Sequence, residues 1–238
     1  MSKNYISGEL KEKFVKPLEE VAYHKHCYAR DVFRDWIASS ALAASGYLMV
    51  RAGEVEIGKS RIDRADAILS GYGEKDIQTM LELSGTLRKE LQEDPRDLLG
   101  ELYMKLQVNN SSLGQIFTPF CVSELMSSIL NTGEDDNDSL DISDCCCGSG
   151  SMLIAHHKNV LTKGYDASYY NCIAQDIDEF CCMMAYLQME LLGMSALVYN
   201  DDSLARPFGP NREICKMYVT TQYFINDYNA REKESKSA

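Results

Sequence analysis

The sequence has 238 residues, 45% of them hydrophobic and 25% charged, and its formal net charge is −12 at pH 7. A chain with this much apolar material can build a core, which excludes wholesale disorder, and its length suits one medium α/β domain with a smaller helical appendage. No apolar run approaches the roughly 20 residues of a membrane-spanning helix.

The acidic charge is concentrated in the second half of the chain. Residues 1–110 contain 16 Lys and Arg against 18 Asp and Glu, a net of −2, whereas residues 111–238 contain 8 against 18, a net of −10. Proteins that bind duplex DNA usually present clustered Lys and Arg side chains to its phosphates. We therefore expect the isolated chain to bind DNA weakly.

The nine cysteines predict free thiols rather than disulfides or a metal site. Cys145, Cys146 and Cys147 are consecutive, as are Cys181 and Cys182, and neighbouring cysteines pair badly. The sequence contains no CxxC pair, so no zinc or other metal is expected, and no secretory signal opens it. We expect buried, reduced thiols in a cytoplasmic protein.

The first part of the chain has a helical pattern throughout. Apolar residues recur at helical spacing over 28–50 and again over 61–92. Asp94-Pro95 resembles an N-cap followed by proline at the first helical position, and predicts the start of another helix. These patterns predict an all-helical N-terminal domain over residues 1–110.

Strand and helix patterns alternate in the rest of the chain. Short apolar segments bounded by polar residues predict four strands: Leu140–Asp144, Asn171–Asp176, Ala196–Asn200 and Met217–Phe224. Helices between the first three predict parallel pairing, as in crossover units. We therefore predict a Rossmann-like α/β domain over residues 111–230 and a disordered tail over residues 231–238.

The strongest motif follows the first predicted strand. Asp144 ends the strand, Gly148, Ser149 and Gly150 form a turn, and a helix begins at Ser151. Glycines allow the backbone to turn sharply and approach a ligand, and a carboxylate at the strand end can accept hydrogen bonds from an ammonium group. Taken alone, the pattern also fits an ordinary strand-to-helix turn.

Acidic residues also end the next two predicted strands. Asp176 is placed to accept hydrogen bonds from ribose hydroxyls, whereas Asp178, directly before a helix, fits an N-cap. Asp202, or less favourably Asp201, is placed to accept the exocyclic amine of an adenine. A polar turn without a ligand is the alternative for this last pair.

In this order and spacing the motifs resemble the N6-adenine DNA methylase family. The resemblance is to the modification subunit of type I restriction systems and its small phage- and plasmid-borne relatives, and it runs from about Pro95 to Leu204. It rests on GQIFTP (residues 114–119), then DCCCGSG from Asp144, AQDID and DDSL. The family has proline where Cys145 stands here.

The resemblance implies an S-adenosylmethionine-dependent methyltransferase sheet, here truncated, after the helical domain. Phe117, Thr118 and Pro119 would line the methionine end of the cofactor, and Ile177 would lie against its adenine ring. The cofactor-binding residues that it implies are Gln115, Phe117, Thr118, Pro119, Asp144, Gly148, Ser149, Gly150, Asp176, Ile177 and Asp202.

The family's catalytic segment, Asn/Asp-Pro-Pro-aromatic at the end of a fourth strand, is missing. That segment accepts hydrogen bonds from the target amine and stacks a ring on the flipped base. Neither Arg206–Asn211 nor Met217–Phe224 contains it, so the catalytic residues are unknown. Two hypotheses stay open. The chain is either a DNA adenine methyltransferase that needs a partner subunit, or a non-catalytic relative that acts through protein contacts in defence, counter-defence or regulation.

Other notable side chains are interpreted as structural. The histidines have no carboxylate or cysteine at metal spacing, which predicts a surface position for His24, His26, His156 and His157. A core position is predicted for Trp36, Met183, Met184 and Met189.

Overall fold

The computed structural model describes residues 8–107, 117–130, 141–166, 170–209 and 212–237. The chain forms two compact units. The helical unit comprises Met1–Glu93 and Leu98–Phe117, and the sheet unit comprises Asp94–Asp97 and Thr118–Ala238. The domain boundary predicted at residue 110 lies outside the described residues.

The described part of the helical unit contains helices only, which confirms the predicted helical character. They are α1 (Gly8–Leu10), a π-helical segment (Lys11–Val15), α2 (Lys16–Lys25), α3 (Ala29–Arg51), α4 (Val55–Leu69), α5 (Glu74–Glu93) and α6 (Leu98–Gln107).

Two predicted helix boundaries in this unit were wrong. The pattern over 61–92 is divided between α4 and α5, because the backbone turns at Ser70–Gly73, where two glycines break the helix. Asp94-Pro95 does not cap α6, which begins only at Leu98. Residues 94–97 belong instead to the sheet unit.

Trp36 lies in the core of the helical unit, as predicted. It is fully buried, and its indole nitrogen donates a hydrogen bond to Ser84 Oγ at 2.9 Å. The rings of Phe14 and Phe33 lie 6.4 and 6.1 Å from it, centroid to centroid. Burial of these aromatic side chains contributes to the stability of this unit.

Helices α3 and α4 touch backbone to backbone at two glycines. A Cβ built on Gly58 would lie 2.6 Å from Gly46 O and 2.8 Å from Val50 N. A Cβ built on Gly46 would lie 2.8 Å from Gly58 O. The obstructing atoms are main-chain atoms, which cannot rotate away, so only glycine permits this approach.

Replacement of Gly58 by alanine is therefore expected to destabilise the helical unit. Forcing the two helices apart costs about 1–3 kcal/mol, which exceeds the roughly 1 kcal/mol that alanine gains over glycine in a helix. Gly85→Ala on α5 is the matched control, because a Cβ there meets nothing within 4 Å. We expect that control to raise stability by about 0.5–1 kcal/mol. Thermal unfolding followed by circular dichroism measures both, and equal melting temperatures for the two variants would contradict the prediction.

The sheet unit alternates helices and strands. Its elements are α7 (Phe120–Leu130), β1 (Ile142–Asp144), α8 (Ser151–Thr162), β2 (Cys172–Asp176), α9 (Glu179–Leu191), β3 (Ala196–Asn200), a 3-10 turn (Ile214–Lys216), β4 (Met217–Val219) and α10 (Thr221–Ser237).

The strands form one sheet in the order β1-β2-β3-β4, with β1, β2 and β3 parallel. The pairing of three parallel strands across two helices confirms the predicted Rossmann-like α/β fold. Strand β4 runs antiparallel to β3. In the doubly wound fold the sheet continues on the far side of the first strand, whereas the described residues place β4 beside β3 and leave β1 at the edge.

The predicted fourth strand was too long. It ends at Val219. The next residue, Thr220, uses its side chain instead: its hydroxyl donates to Met194 O at 2.7 Å and accepts from Ala196 N at 2.9 Å. Helix α10 begins at Thr221, whose backbone nitrogen donates to Glu190. It runs to Ser237 and so passes through the segment for which the sequence predicts a disordered tail.

The predicted core of α9 is confirmed, because Met183, Met184 and Met189 are all buried. The cysteines are free, as predicted, but their predicted burial was wrong for part of the set. The buried thiols are Cys147, Cys172, Cys181 and Cys182, and the exposed ones are Cys121, Cys145, Cys146 and Cys215. The three consecutive cysteines differ in exposure, because Cys145 and Cys146 lie in the open turn after β1 whereas Cys147 is buried.

The predicted surface position of His156 and His157 was wrong. Both are buried, with His157 only 1% exposed. Helix α8 packs against α7 as well as against β1, so more than one side of the helix is covered. His24 and His26 are exposed, as predicted. None of the described helices is both long and apolar enough to cross a membrane.

Candidate cofactor site

The polar residues predicted as a site come together at one edge of the sheet. Asp144 ends β1, Asp176 ends β2, and Asn200 ends β3 beside Asp176 in the strand register. Carboxyl ends of parallel strands are where α/β folds bind their ligands. Three separate segments of the sequence thus contribute to one surface.

The glycine turn after β1 has the conformation that its sequence predicts. Gly148 and Gly150 have φ of 54° and 93°, in the left-handed region that favours glycine. A Cβ on Gly150 would lie 2.8 Å from Met189 Cε. The turn is joined to the sheet by Cys147 N, which donates to Gln175 O at 3.0 Å.

Asp176 connects the end of β2 to this turn. One carboxylate oxygen accepts from Gly148 N at 2.8 Å, and the other accepts from Asp178 N at 2.9 Å. The side chain is therefore fixed against the turn while each oxygen keeps a lone pair for a ligand. Asp178 itself caps α9 by accepting from Phe180 N at 2.8 Å, which confirms its prediction as an N-cap.

Asp144 is the second carboxylate of the site. It accepts from Cys146 N at 3.0 Å. Partial burial raises the pKa of Asp144, and the nearby charge of Asp176 adds to the effect. Within the described ranges neither aspartate forms an ion pair, so a cationic ligand group would lower the electrostatic cost of holding both charges here.

Thr118 and Pro119 directly precede α7, and both are exposed. Pro119 O accepts from Val122 N at 2.9 Å, which starts the helix. The hydroxyls of Ser123 and Ser151 lie 2.8 Å apart and tie the beginning of α7 to the beginning of α8, where the glycine turn ends. This link joins the helix that directly follows Thr118 and Pro119 to the helix that begins at the glycine turn.

Phe117 and Gln115 are the other two predicted site residues of the GQIFTP segment. Phe117 belongs to the helical unit, where its ring packs 5.1 Å from the ring of Tyr103. Gln115 lies outside the described residues. Their predicted contacts with a cofactor stay predictions.

The two aspartates after β3 differ in their partners. Asp201 is buried and accepts from Arg206 Nε at 3.0 Å and from Lys216 Nζ at 3.1 Å. Burial alone would raise the pKa of Asp201, but the hydrogen bonds from Lys216 and Arg206 outweigh it and hold the pKa below its usual range. Asp202 is half-buried and uses one oxygen to accept from Leu204 N and Ala205 N. Asp202 is therefore the better placed of the two to meet a ligand, because Asp201 is neutralised within the fold.

Ile177 presents an open apolar surface between the ends of β2 and β3, where its side chain is 72% exposed. Its backbone is held, because Asn200 Nδ2 donates to Ile177 O at 3.0 Å and to Asp176 O at 3.1 Å. An exposed aliphatic side chain on a fixed backbone is suited to contact one face of a planar ring.

The sequence interpretation missed Gln175, which positions the loop after β3. Its side chain is buried, donates to Arg206 O at 2.9 Å and accepts from Phe208 N at 3.0 Å. A polar residue inside the apolar strand CIAQD was the signal that could have revealed it. Buried amides need such partners, because an unsatisfied one costs about 1–3 kcal/mol.

Residues 94–237 match the family model described as N-6 DNA methylase. The chain belongs to the N-6 DNA methylase family. The matched region begins with the segment 94–97 that folds with the sheet unit and includes the glycine turn, Asp176 and the loop after β3.

Two solved structures are similar to this family member. One is a putative class I S-adenosylmethionine-dependent methyltransferase from Listeria monocytogenes, with 13% identity, a TM-score of 0.47 and 84% of this chain covered. The other is the type I restriction-modification system methyltransferase subunit from Streptococcus thermophilus, with 20% identity, a TM-score of 0.42 and 87% of this chain covered. The chain spans 55% of the length of each. No curated protein matches it.

Proposed function

We propose that this chain is an S-adenosylmethionine-dependent DNA adenine-N6 methyltransferase-like protein that binds its cofactor at the carboxyl edge of β1, β2 and β3. The observation that carries the proposal is the link from Asp176 to Gly148, which holds a carboxylate and a glycine turn together at the place where α/β folds bind nucleosides. Membership of the N-6 DNA methylase family supports it.

The described residues fit the parts of the cofactor. Asp144 has the charge to accept hydrogen bonds from the ammonium group, and Asp176 has free lone pairs for ribose hydroxyls. Ile177 offers an apolar contact to the adenine ring, and Asp202 an acceptor for its amine. Thr118 and Pro119 are the described candidates for the methionine end. When bound, the cofactor supplies an electrophilic methyl group on its sulfonium.

Asp176→Ala is expected to weaken S-adenosylmethionine binding by about 1.5–3 kcal/mol, the contribution of hydrogen bonds to a charged group. This corresponds to a Kd raised about 10- to 150-fold. Alanine would also free Gly148 N from its partner and loosen the turn. Isothermal titration calorimetry of the purified variant gives the Kd directly.

The matched control is Asp63→Ala, which removes an exposed aspartate from α4 in the helical unit. It changes the net charge by the same amount, so a general electrostatic effect would appear in both variants. Equal Kd values for wild type and Asp176→Ala would contradict the proposed role of Asp176.

A second candidate function is a methyltransferase-fold protein that transfers no methyl group and acts through protein contacts. The described residues place β4 beside β3 rather than beside β1, and β4 and the loop before it lack the Asn/Asp-Pro-Pro-aromatic segment. Helix α7 also exposes an apolar stripe at helical spacing, formed by Val122, Leu125, Met126 and Ile129. Exposed apolar stripes of this kind are typical of protein contact surfaces. In either case we propose that the chain works with a protein partner.

Duplex DNA is expected to bind weakly to the isolated chain. Residues 111–238 carry a net charge of −10, which repels the phosphates that account for non-specific binding. We expect a Kd no tighter than the roughly 10⁻⁴–10⁻⁶ M of non-specific binders near 0.15 M salt. Fluorescence anisotropy with a labelled duplex measures it, and a sub-micromolar Kd would refute the expectation.

A further inference from the structure

Asp97 is a buried acidic residue in a short segment that reaches the glycine turn from far away in the sequence. Its side chain is 6% exposed, and it lies in the segment Asp94–Asp97, which belongs to the sheet unit. One end of that segment is anchored to α8, because Lys158 donates to Asp94 at 2.9 Å. The other end places the Asp97 carboxylate behind the turn.

The Asp97 carboxylate contacts Ser149, the central residue of the turn, both directly and through the side chain of Gln188. Ser149 Oγ donates to one oxygen of Asp97 at 2.5 Å, and Gln188 Nε2 donates to the other at 2.9 Å. The same amide of Gln188 donates to the backbone oxygen of Ser149 at 2.9 Å. The side chain and the main chain of Ser149 are thus both held by one buried network. The Ser149 hydroxyl points into this network and not towards the open side of the turn.

Glycine turns lose much conformational freedom on folding, so a turn with glycine on both sides of Ser149 needs anchors to keep one shape. Asp176 anchors Gly148 from the ligand side. The Asp97 network anchors Ser149 from the opposite, buried side. A carboxylate is costly to bury, and the hydrogen bonds from Ser149 and Gln188 both offset this cost and fix the turn.

We propose that Asp97 is a positioning residue for the cofactor, which holds the glycine turn in its binding conformation before S-adenosylmethionine arrives. The inference rests on the proposed cofactor site. Asp97 acts through Ser149 and does not touch the cofactor. A turn that already has its binding conformation increases the affinity for the cofactor, because less conformational entropy is lost on binding.

The test uses the full chain with Asp97→Asn, which keeps the shape but removes the charge and one acceptor. Asp63→Asn is the matched control, since it makes the same substitution at an exposed aspartate of α4 in the helical unit. Hydrogen exchange of the cofactor-free protein is expected to be about tenfold faster or more at the amides of residues 146–151 in Asp97→Asn, with α3 and α5 unchanged. The Kd for S-adenosylmethionine is expected to rise about tenfold or more. Asp63→Asn is expected to change neither the exchange at the turn nor the Kd.

Ser149→Ala provides a second variant that removes only the hydroxyl. If Asp97 acts through Ser149, the double variant Asp97→Asn/Ser149→Ala should bind within about twofold of Asp97→Asn alone, because contacts in one network are not additive. Unchanged exchange at the turn in Asp97→Asn would overturn the inference, as would additive losses in the double variant. Wild type that binds no cofactor would refute the proposed function, while the exchange measurement would still decide the role of Asp97.

Discussion

The purified chain alone is expected to transfer no methyl group to adenine in DNA. Methylation of an exocyclic amine needs acceptors around the nitrogen, because its lone pair is delocalised into the ring, and it needs the base held outside the duplex. The Asn/Asp-Pro-Pro-aromatic segment that would do both is missing from the sequence. Loss of such positioning removes much of an effect worth about 7–11 kcal/mol.

Neither β4 nor the start of α10 is placed to replace it. Strand β4 lies at the far side of β3, and its three residues, Met217–Val219, are all buried. The aromatic residues Tyr223 and Phe224, together with Gln222, follow on α10 rather than at a strand end. The Gln222 amide donates to Asn226 on the same helix at 2.9 Å.

The measurement is incorporation of label from radioactive S-adenosylmethionine into mixed genomic DNA. We expect none with the chain alone. Label that appears only when host lysate is added would support the proposed partner subunit. No label in either case would favour the non-catalytic function. Label incorporated by the purified chain would contradict the prediction.

The contribution of His157 to the free energy of unfolding is expected to fall by about 3 kcal/mol as the pH is lowered from about 6.5 to about 4. Burial lowers the pKa of His157 from 6.5 to about 4, and repulsion from His156 contributes. The unfolded chain therefore binds a proton over this range while the folded chain does not. A pKa difference of about 2.5 pH units, at 1.36 kcal/mol each, gives this magnitude. The full contribution of His157 to the free energy of unfolding is present above its unfolded pKa of 6.5 and is lost as the pH falls towards the folded value.

His157→Asn tests the assignment. Asparagine can replace Nδ1 as the partner of Tyr170 OH, which lies 2.5 Å away, but it does not titrate in this range. The variant should lose the part of the acid-dependent decrease that comes from His157, which urea denaturation across this pH range measures. His26→Asn is the control, because His26 is exposed and has a left-handed φ of 52° that asparagine tolerates. An acid profile of His157→Asn that overlays wild type would show that other groups are responsible.

The sequence was sufficient to predict the parts of the site that follow one another along the chain. A strand, an acidic residue and a glycine turn are local features, and the structure places Asp144, Gly148 and Asp176 at one sheet edge because parallel strands require it. The cap at Asp178 is equally local. Periodicity likewise predicted the helical unit and the burial of Trp36.

The contacts between distant segments were not predictable from local pattern. Asp97 meets Ser149 and Gln188 across 52 and 91 residues, and nothing near Asp97 in the sequence marks those partners. His157 was misplaced because the lack of metal-ligand spacing, on which its surface prediction rested, says nothing about burial, whereas α8 packs against both α7 and β1. The position of β4 depends on which strand has a free edge, a property of the whole sheet.

A calorimetric titration of the wild-type chain with S-adenosylmethionine is the most direct test of the proposed cofactor site. We expect a saturable heat with one molecule bound per chain, and we expect it to be reduced in Asp176→Ala. The demethylated product should compete for the same site, because it keeps the ribose, the adenine and the ammonium group. No heat of binding at millimolar cofactor would contradict the account and show that the carboxylates and glycine turn at the sheet edge do not form a cofactor site.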